Sequence, residues 1–152
     1  MAVVKPIPKE GVEVLSSDEC EQLLRSSNLG RLALVVDGQP EVFPVNYAFA
    51  EGVVVFRTAP GLKLERAPLT QVAFEVDRVD TAHRIAWSVV VKGTAHDIST
   101  AVDRLPERLR SLAVRPQAPG AHEAWLAIHE ESISGRRFGL PPVGETPWLH
   151  LP

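Results

Sequence analysis

The sequence predicts a mainly β (α+β) fold, a small antiparallel barrel with short flanking helices. Three observations point there. Five or more short segments rich in β-branched residues lie between turn signals, and two of those signals, Asp37-Gly38 and Glu51-Gly52, suit tight antiparallel turns. Strands and helices do not alternate as a doubly wound sheet requires. Closing the sheet into a barrel removes the exposed edges that so many short strands would otherwise leave.

The elements follow in order. Ser16-Ser17-Asp18 precedes ECEQLLRSS, in which Leu15, Cys20, Leu23 and Leu24 share one helical face. A serine N-cap accepts an orphan amide, and acids in the first turn face the positive end of the helix dipole, so a helix is expected from about Ser17 to Ser27, ended by Asn28 and Gly30. Arg31 to Val36, Glu41 to Ala48 and Val53 to Thr58 then read as a three-stranded meander. Pro44 cannot donate to a ladder and marks an edge or a bulge. Leu62 to Leu69 reads as a short helix, Gln71 to Asp77 and Ala86 to Asp97 as strands joined by a polar loop, and Thr100 to Ala113 as a helix. Ala124 to Ile128 is the last strand, continued or flanked by Glu130 to Phe138.

At 152 residues the chain is the size of one domain, able to bury roughly two-thirds of the surface of its unfolded form. The expected organisation is an N-terminal extension at 1–14, the barrel domain at 15–138 and a Pro-rich tail at 139–152. Hydrophobic residues make up 45% and charged residues 23%, the composition of a water-soluble globular protein. The net charge of −3 offers no basic footprint for nucleic acid. No segment approaches the roughly 20 apolar residues that span a bilayer, and the proline-interrupted start does not read as a signal peptide, so a cytoplasmic location is expected. The single cysteine, Cys20, lies on the apolar helix face and reads as structural. The five histidines show no metal-ligand spacing, and no GxSxG, GxGxxG or GxxxxGK[ST] motif occurs.

The segment VVVFRTAPGLKL, Val53 to Leu64, carries the chemistry. A strand ending in Arg57-Thr58, a turn through Ala59-Pro60-Gly61 and a restart at Lys63 supply two cations, a hydroxyl and turn amides within a few residues. A phosphate needs such convergence of charge and donors. Arg57, Thr58 and Lys63 are therefore candidate phosphate ligands. Asn46 and Tyr47 put polar groups into an apolar strand, where an amide can pair with the edge of a flavin ring. Ser88, beside Trp87, shares a strand face with Val90 and Lys92 and is a further candidate donor, with Lys92 a weaker one. Gly135-Arg136-Arg137-Phe138 is a basic strand end facing water or reaching a ligand.

The ordered set LSSDECEQLLRSSNLGRLALVVDGQPEVFPVNYAF, VVVFRTAPGLKL, VAFEVD, WSVVVKGTA and WLAIHEESISGRRF resembles the pyridoxamine 5'-phosphate oxidase-like FMN-binding proteins, in particular their nitroimidazole-reductase-like branch. That resemblance implies a six-stranded antiparallel split β-barrel and a homodimer with the cofactor at the interface. It implies phosphate ligands at Arg57, Thr58 and Lys63, next to Leu64. It also implies a flavin ring lying against Val45, Asn46 and Tyr47 and against Trp87, Ser88 and Val89. The expected cofactor is FMN, with deazaflavin, FAD or haem as alternatives, and the expected activity is flavin-dependent reduction of a small organic or aromatic substrate. The alternative is a non-catalytic flavin or haem carrier or sensor. The C-terminal residues PPVGETPWLHLP lack an arginine- and histidine-bearing substrate-phosphate segment, which argues against vitamin B6 synthesis, and no histidine stands among Ala59 to Leu64.

Overall fold

The computed structural model describes residues 11–58, 70–104, 107 and 124–141. Two-residue turns set the first half of the barrel. Strand β2 (Leu29–Val36) runs into β3 (Gln39–Ala50) through Asp37-Gly38, and β3 into β4 (Val53–Thr58) through Glu51-Gly52. All four turn residues have positive φ, between 50° and 76°, the mirror-image turn whose twist matches paired strands. The registers Val36↔Gln39 and Ala50↔Val53 follow directly.

Strands β5 (Gln71–Asp80) and β6 (Ile85–Asp97) form a second hairpin, both longer than the sequence pattern suggested. Their turn is held by Asp80, whose carboxylate accepts the His83 backbone N–H at 3.0 Å and lies 2.7 Å from His83 Nδ1. These bonds, the backbone one first, hold the Asp80 carboxyl below its usual range. A 3-10 helix, Ser99–Arg104, follows at the start of the expected Thr100–Ala113 helix. The last strand, β7 (Ala124–Gly139), joins the expected strand and its flank into one element of 16 residues.

The strand order β7-β4-β3-β2-β5-β6, with β6 pairing back to β7, closes a six-stranded antiparallel ring. It is a split barrel. β7 pairs with β4 only over Ala124 to His129 and thereafter keeps β6 alone on its ring side. Gly93 allows this, since a Cβ there would lie 2.0 Å from the His129 carbonyl oxygen, beside a register shift in the β6–β7 ladder. A seventh strand that the sequence pattern did not suggest, β1 (Val12–Val14), lies along the far end of β7.

Alternation in each strand points one face inward. Leu32, Leu34, Tyr47, Phe49, Val54, Phe56, Phe74, Val76, Val89, Val91, Leu126 and Ile128 fill the barrel. Phe74 is its centre, edge-on to Tyr47 at 4.9 Å and stacked at 6.4 Å on Phe56. Gly30 does not stop the helix. It lies inside β2, where a Cβ would fall 2.3 Å from the Phe74 ring. Pro44 faces Arg31 across the β2–β3 ladder. Tyr47 N–H donates to Asn28 on the β2 side, so by alternation the donor that Pro44 lacks belongs on the other side, where β4 pairing has not yet begun.

Helix α1 (Ser17–Arg25) plugs the opening beside β7. Ser16 and Glu19 form a reciprocal capping box, with Glu19 N–H donating to Ser16 Oγ at 3.3 Å and Ser16 N–H to Glu19 Oε2 at 2.9 Å. Leu15, Cys20 and Leu24 are buried in the core, and burial pushes the Cys20 thiol pKa up, as expected of a structural cysteine. No helix among the described residues is long and apolar enough to cross a membrane. The expected helix at Leu62 to Leu69, the end of the Thr100–Ala113 helix, most of the 1–14 extension and most of the tail lie outside the described residues.

The helix docks where β7 has no side chain. A Cβ on Gly135 would lie 2.5 Å from Cys20 Sγ and 3.1 Å from Leu15 Cδ1. Gly135→Ala should therefore destabilise the protein by about 1–3 kcal/mol, as overpacking does. Urea unfolding checks this, and Gly135→Ala in a Cys20→Ala background should recover part of the loss.

Candidate functional site

The strand registers bring together residues far apart in sequence. Ser88 on β6 pairs with Asp77 on β5 and with Arg136 on β7. Leu29 on β2 pairs with Asn46 on β3, and Arg57 on β4 with Trp125 on β7. Extending the β2–β5 and β3–β4 ladders sets Asp77 opposite Leu29 and Asn46 opposite Arg57. A single outward-facing row thus runs round the barrel, beginning and ending on β7: Arg136, Ser88, Asp77, Leu29, Asn46, Arg57, Trp125. Its neighbours on the same face are Arg31, Glu75 and Pro44.

The charges on this face are organised. The Arg57 guanidinium lies over the Trp125 ring at 5.2 Å, which fixes it at the strand end. Arg31 bridges to Glu75 at 3.3 Å and to Asp77 more closely. Burial, then the Asp77 charge, push the Glu75 carboxyl pKa up, with Arg31 pulling against both. The face is also apolar in places, since Leu29, Val35 and Val42 are 46%, 66% and 62% exposed.

The candidate residues divide between the two faces. Asn46, Arg57 and Ser88 are half-buried on the outer row. Val45, Tyr47, Trp87 and Val89 are buried, with their side chains in the core cluster, so toward the outer face they offer only backbone. The Tyr47 hydroxyl donates to the Leu24 carbonyl oxygen at 2.7 Å, and burial pushes its pKa well up. Thr58 ends β4 opposite Ala124, at the near end of the Arg57 row. Lys63 and Leu64 lie outside the described residues. Lys92 is exposed on the face it shares with Ser88.

The two arginines of the last strand separate clearly. Arg137 donates to Glu13 Oε2 at 3.2 Å and lies 3.9 Å from Glu19 Oε1, tying β1 and α1 to β7. Arg136 is exposed beside Ser88 and can meet a ligand. Sequence reasoning did not single out Trp125 or Asp77, because only the ladder registers set them beside Arg57 and Ser88. No group of three metal-ligating side chains occurs among the described residues.

The fold is a split β-barrel that carries guanidinium, amide and hydroxyl groups on its outer face. The chain belongs to the pyridoxamine 5'-phosphate oxidase family, whose model matches residues 16–137. It is similar to the FAD-binding protein of Mycobacterium smegmatis, with 34% identity and a TM-score of 0.72 over 85% of this chain and 100% of that one. An FAD-binding protein of Mesorhizobium loti is 31% identical, with a TM-score of 0.68 over 83% of this chain and 97% of that one. An uncharacterized protein of Mycobacterium tuberculosis is 32% identical over 86% of this chain and 87% of its own length.

The two faces of β3 predict opposite mutational behaviour. Tyr47→Phe removes a buried hydroxyl and leaves the Leu24 carbonyl without that donor, which should cost about 1–3 kcal/mol. Asn46→Leu, on the outer face, should leave the unfolding midpoint unchanged within about 0.5 kcal/mol. Paired urea melts check both.

Proposed function

We propose that the chain is a flavin-dependent oxidoreductase that holds the FMN half of its cofactor, as FMN itself or within FAD, on the outward row. The observation that carries this reading is that Asn46 and Arg57 lie side by side on neighbouring strands, with Trp125 next to Arg57, in the same outward row that includes Ser88. Arg57 is fitted to the phosphate by charge and by its fixed place over Trp125, with Thr58 and Lys63 completing the grip from the following turn. Asn46 is the amide that pairs with the ring edge. Ser88 and the backbone of Val45, Tyr47, Trp87 and Val89 border the ring, with Leu64 beyond the turn. Similarity to proteins described as FAD-binding supports a flavin over deazaflavin or haem.

The bound flavin supplies the redox chemistry, accepting and passing on electrons or a hydride. The chain's own residues bind, orient and shield. No side-chain acid or base is required, and the reading takes a small organic or aromatic molecule as substrate, stacked over the exposed ring. A second copy of the chain supplies the other wall. Val35 and Val42, neighbours on β2 and β3, are exposed apolar groups of the kind a symmetric partner covers, and an outer sheet face alone cannot enclose a planar ring.

Reconstitution with FMN and with FAD, followed by visible spectroscopy and fluorescence titration, tests the proposal. The wild-type protein should retain flavin through gel filtration. Arg57→Ala should weaken flavin binding about tenfold or more, and the Arg57→Ala/Lys63→Ala pair further, because a charge-assisted phosphate bond contributes about 1.5–3 kcal/mol. Unchanged flavin retention in the double variant, with circular dichroism showing it folded, contradicts the assignment.

A further inference from the structure

A cleft of about 470 Å³ opens at the C-terminal end of α1, lined by Arg25, Ser26, Ser27, Asn28, Arg78 and the Tyr47–Phe49 stretch of β3. It contains two guanidinium groups brought together from the helix and from the end of β5. Arg57 is not among its lining residues. We propose that this cleft is a second anion-binding site, one that takes the phosphate groups of an organic diphosphate.

The two arginines differ in how they are held. Arg25 is fixed: its guanidinium lies 5.5 Å from the centre of the Phe49 ring and is ion-paired with Glu21 at 2.5 Å. A guanidinium carries five N–H donors, so one carboxylate oxygen does not saturate it. Arg78 makes no ion pair or hydrogen bond among the described residues. The acids that flank it in sequence are engaged elsewhere, Asp77 by Arg31 and Asp80 by His83. The residues that line the cleft thus include two cations and no acid.

The remaining lining groups suit an anion as well. The Asn28 side chain is exposed and brings an amide donor, while Ser26 Oγ donates to the Leu23 carbonyl at 2.8 Å and Ser27 N–H to the Leu24 carbonyl at 3.4 Å, which fixes both loop residues. Arginine forks bind phosphate through paired bonds, and two forks on separate elements match two successive phosphates better than one compact ion. The volume is within the range of small-molecule sites and exceeds what a single inorganic anion fills. The diphosphate is that of a free nucleoside diphosphate, because one of the two phosphates of FAD is already placed on Arg57. The proposal stands whether or not flavin occupies the Arg57 row, because each site is probed separately.

Isothermal titration of the full chain with ADP and with inorganic pyrophosphate tests it. Wild type should bind both, more weakly as salt rises, and Arg78→Ala should raise both dissociation constants about tenfold or more, with Arg78→Lys in between. Arg78 is exposed, so these variants should fold, and circular dichroism verifies that. ADP binding should fall in Arg78→Ala while FMN and FAD binding hold, which supports a separate site; a loss of FAD and FMN binding in parallel with ADP overturns it. Absence of ADP and pyrophosphate binding in wild type, or binding within twofold of wild type in Arg78→Ala, overturns it. Flavin binding that fails only in Arg57→Ala leaves this site standing.

Discussion

The period-two alternation of side chains, locked in register by two mirror-image turns, is the constraint on which this molecule depends. Asp37-Gly38 and Glu51-Gly52 hold β2, β3 and β4 in one alignment because all four residues take the positive φ that two-residue loops of that hand require. A slip of one residue would turn Asn46 and Arg57 into the core and Tyr47 and Phe56 out of it. The core and the candidate site are thus two faces of one register. Phe74, packed between Tyr47 and Phe56 and against Gly30, makes any other register expensive.

The barrel closes without becoming a closed container. β7 serves β4 with its first half and β1 with its last, and the gap between is filled by α1, seated on Gly135 and capped by Ser16 and Glu19. The interior is filled by side chains, leaving the sheet's outer face for a ligand. The face that carries Arg57, Asn46 and Ser88 also carries Leu29, Val35 and Val42.

Much of this was legible in the residues. The turn dipeptides placed the meander, the serine and its acids placed α1, and the apolar face of the helix marked Cys20 as a core thiol. The ordered segments indicated the family and the barrel. Legibility ended where long-range pairing decides. The alternation of FPVNYAF is visible in sequence, but which face turns inward depends on β2 and β5, so Val45 and Tyr47 look as ligand-like as Asn46. Arg136 and Arg137 are equivalent in sequence and opposite in the fold, one outward beside Ser88, the other bound to Glu13. β1 is only three residues long and has no pattern of its own, and Arg25 and Arg78 line one cleft only because the fold brings the ends of α1 and β5 to it.

The central claim is that the outward row is the cofactor's surface, and backbone amide shifts read it residue by residue. In a titration of the isotope-labelled protein with FMN, the account predicts saturable shifts at Leu29, Asn46, Arg57, Ser88 and Trp125, with much smaller ones at Leu34, Val54 and Ile128 inside the barrel. Shifts confined to other surfaces, or none at all at FMN concentrations that saturate related flavoproteins, would contradict it.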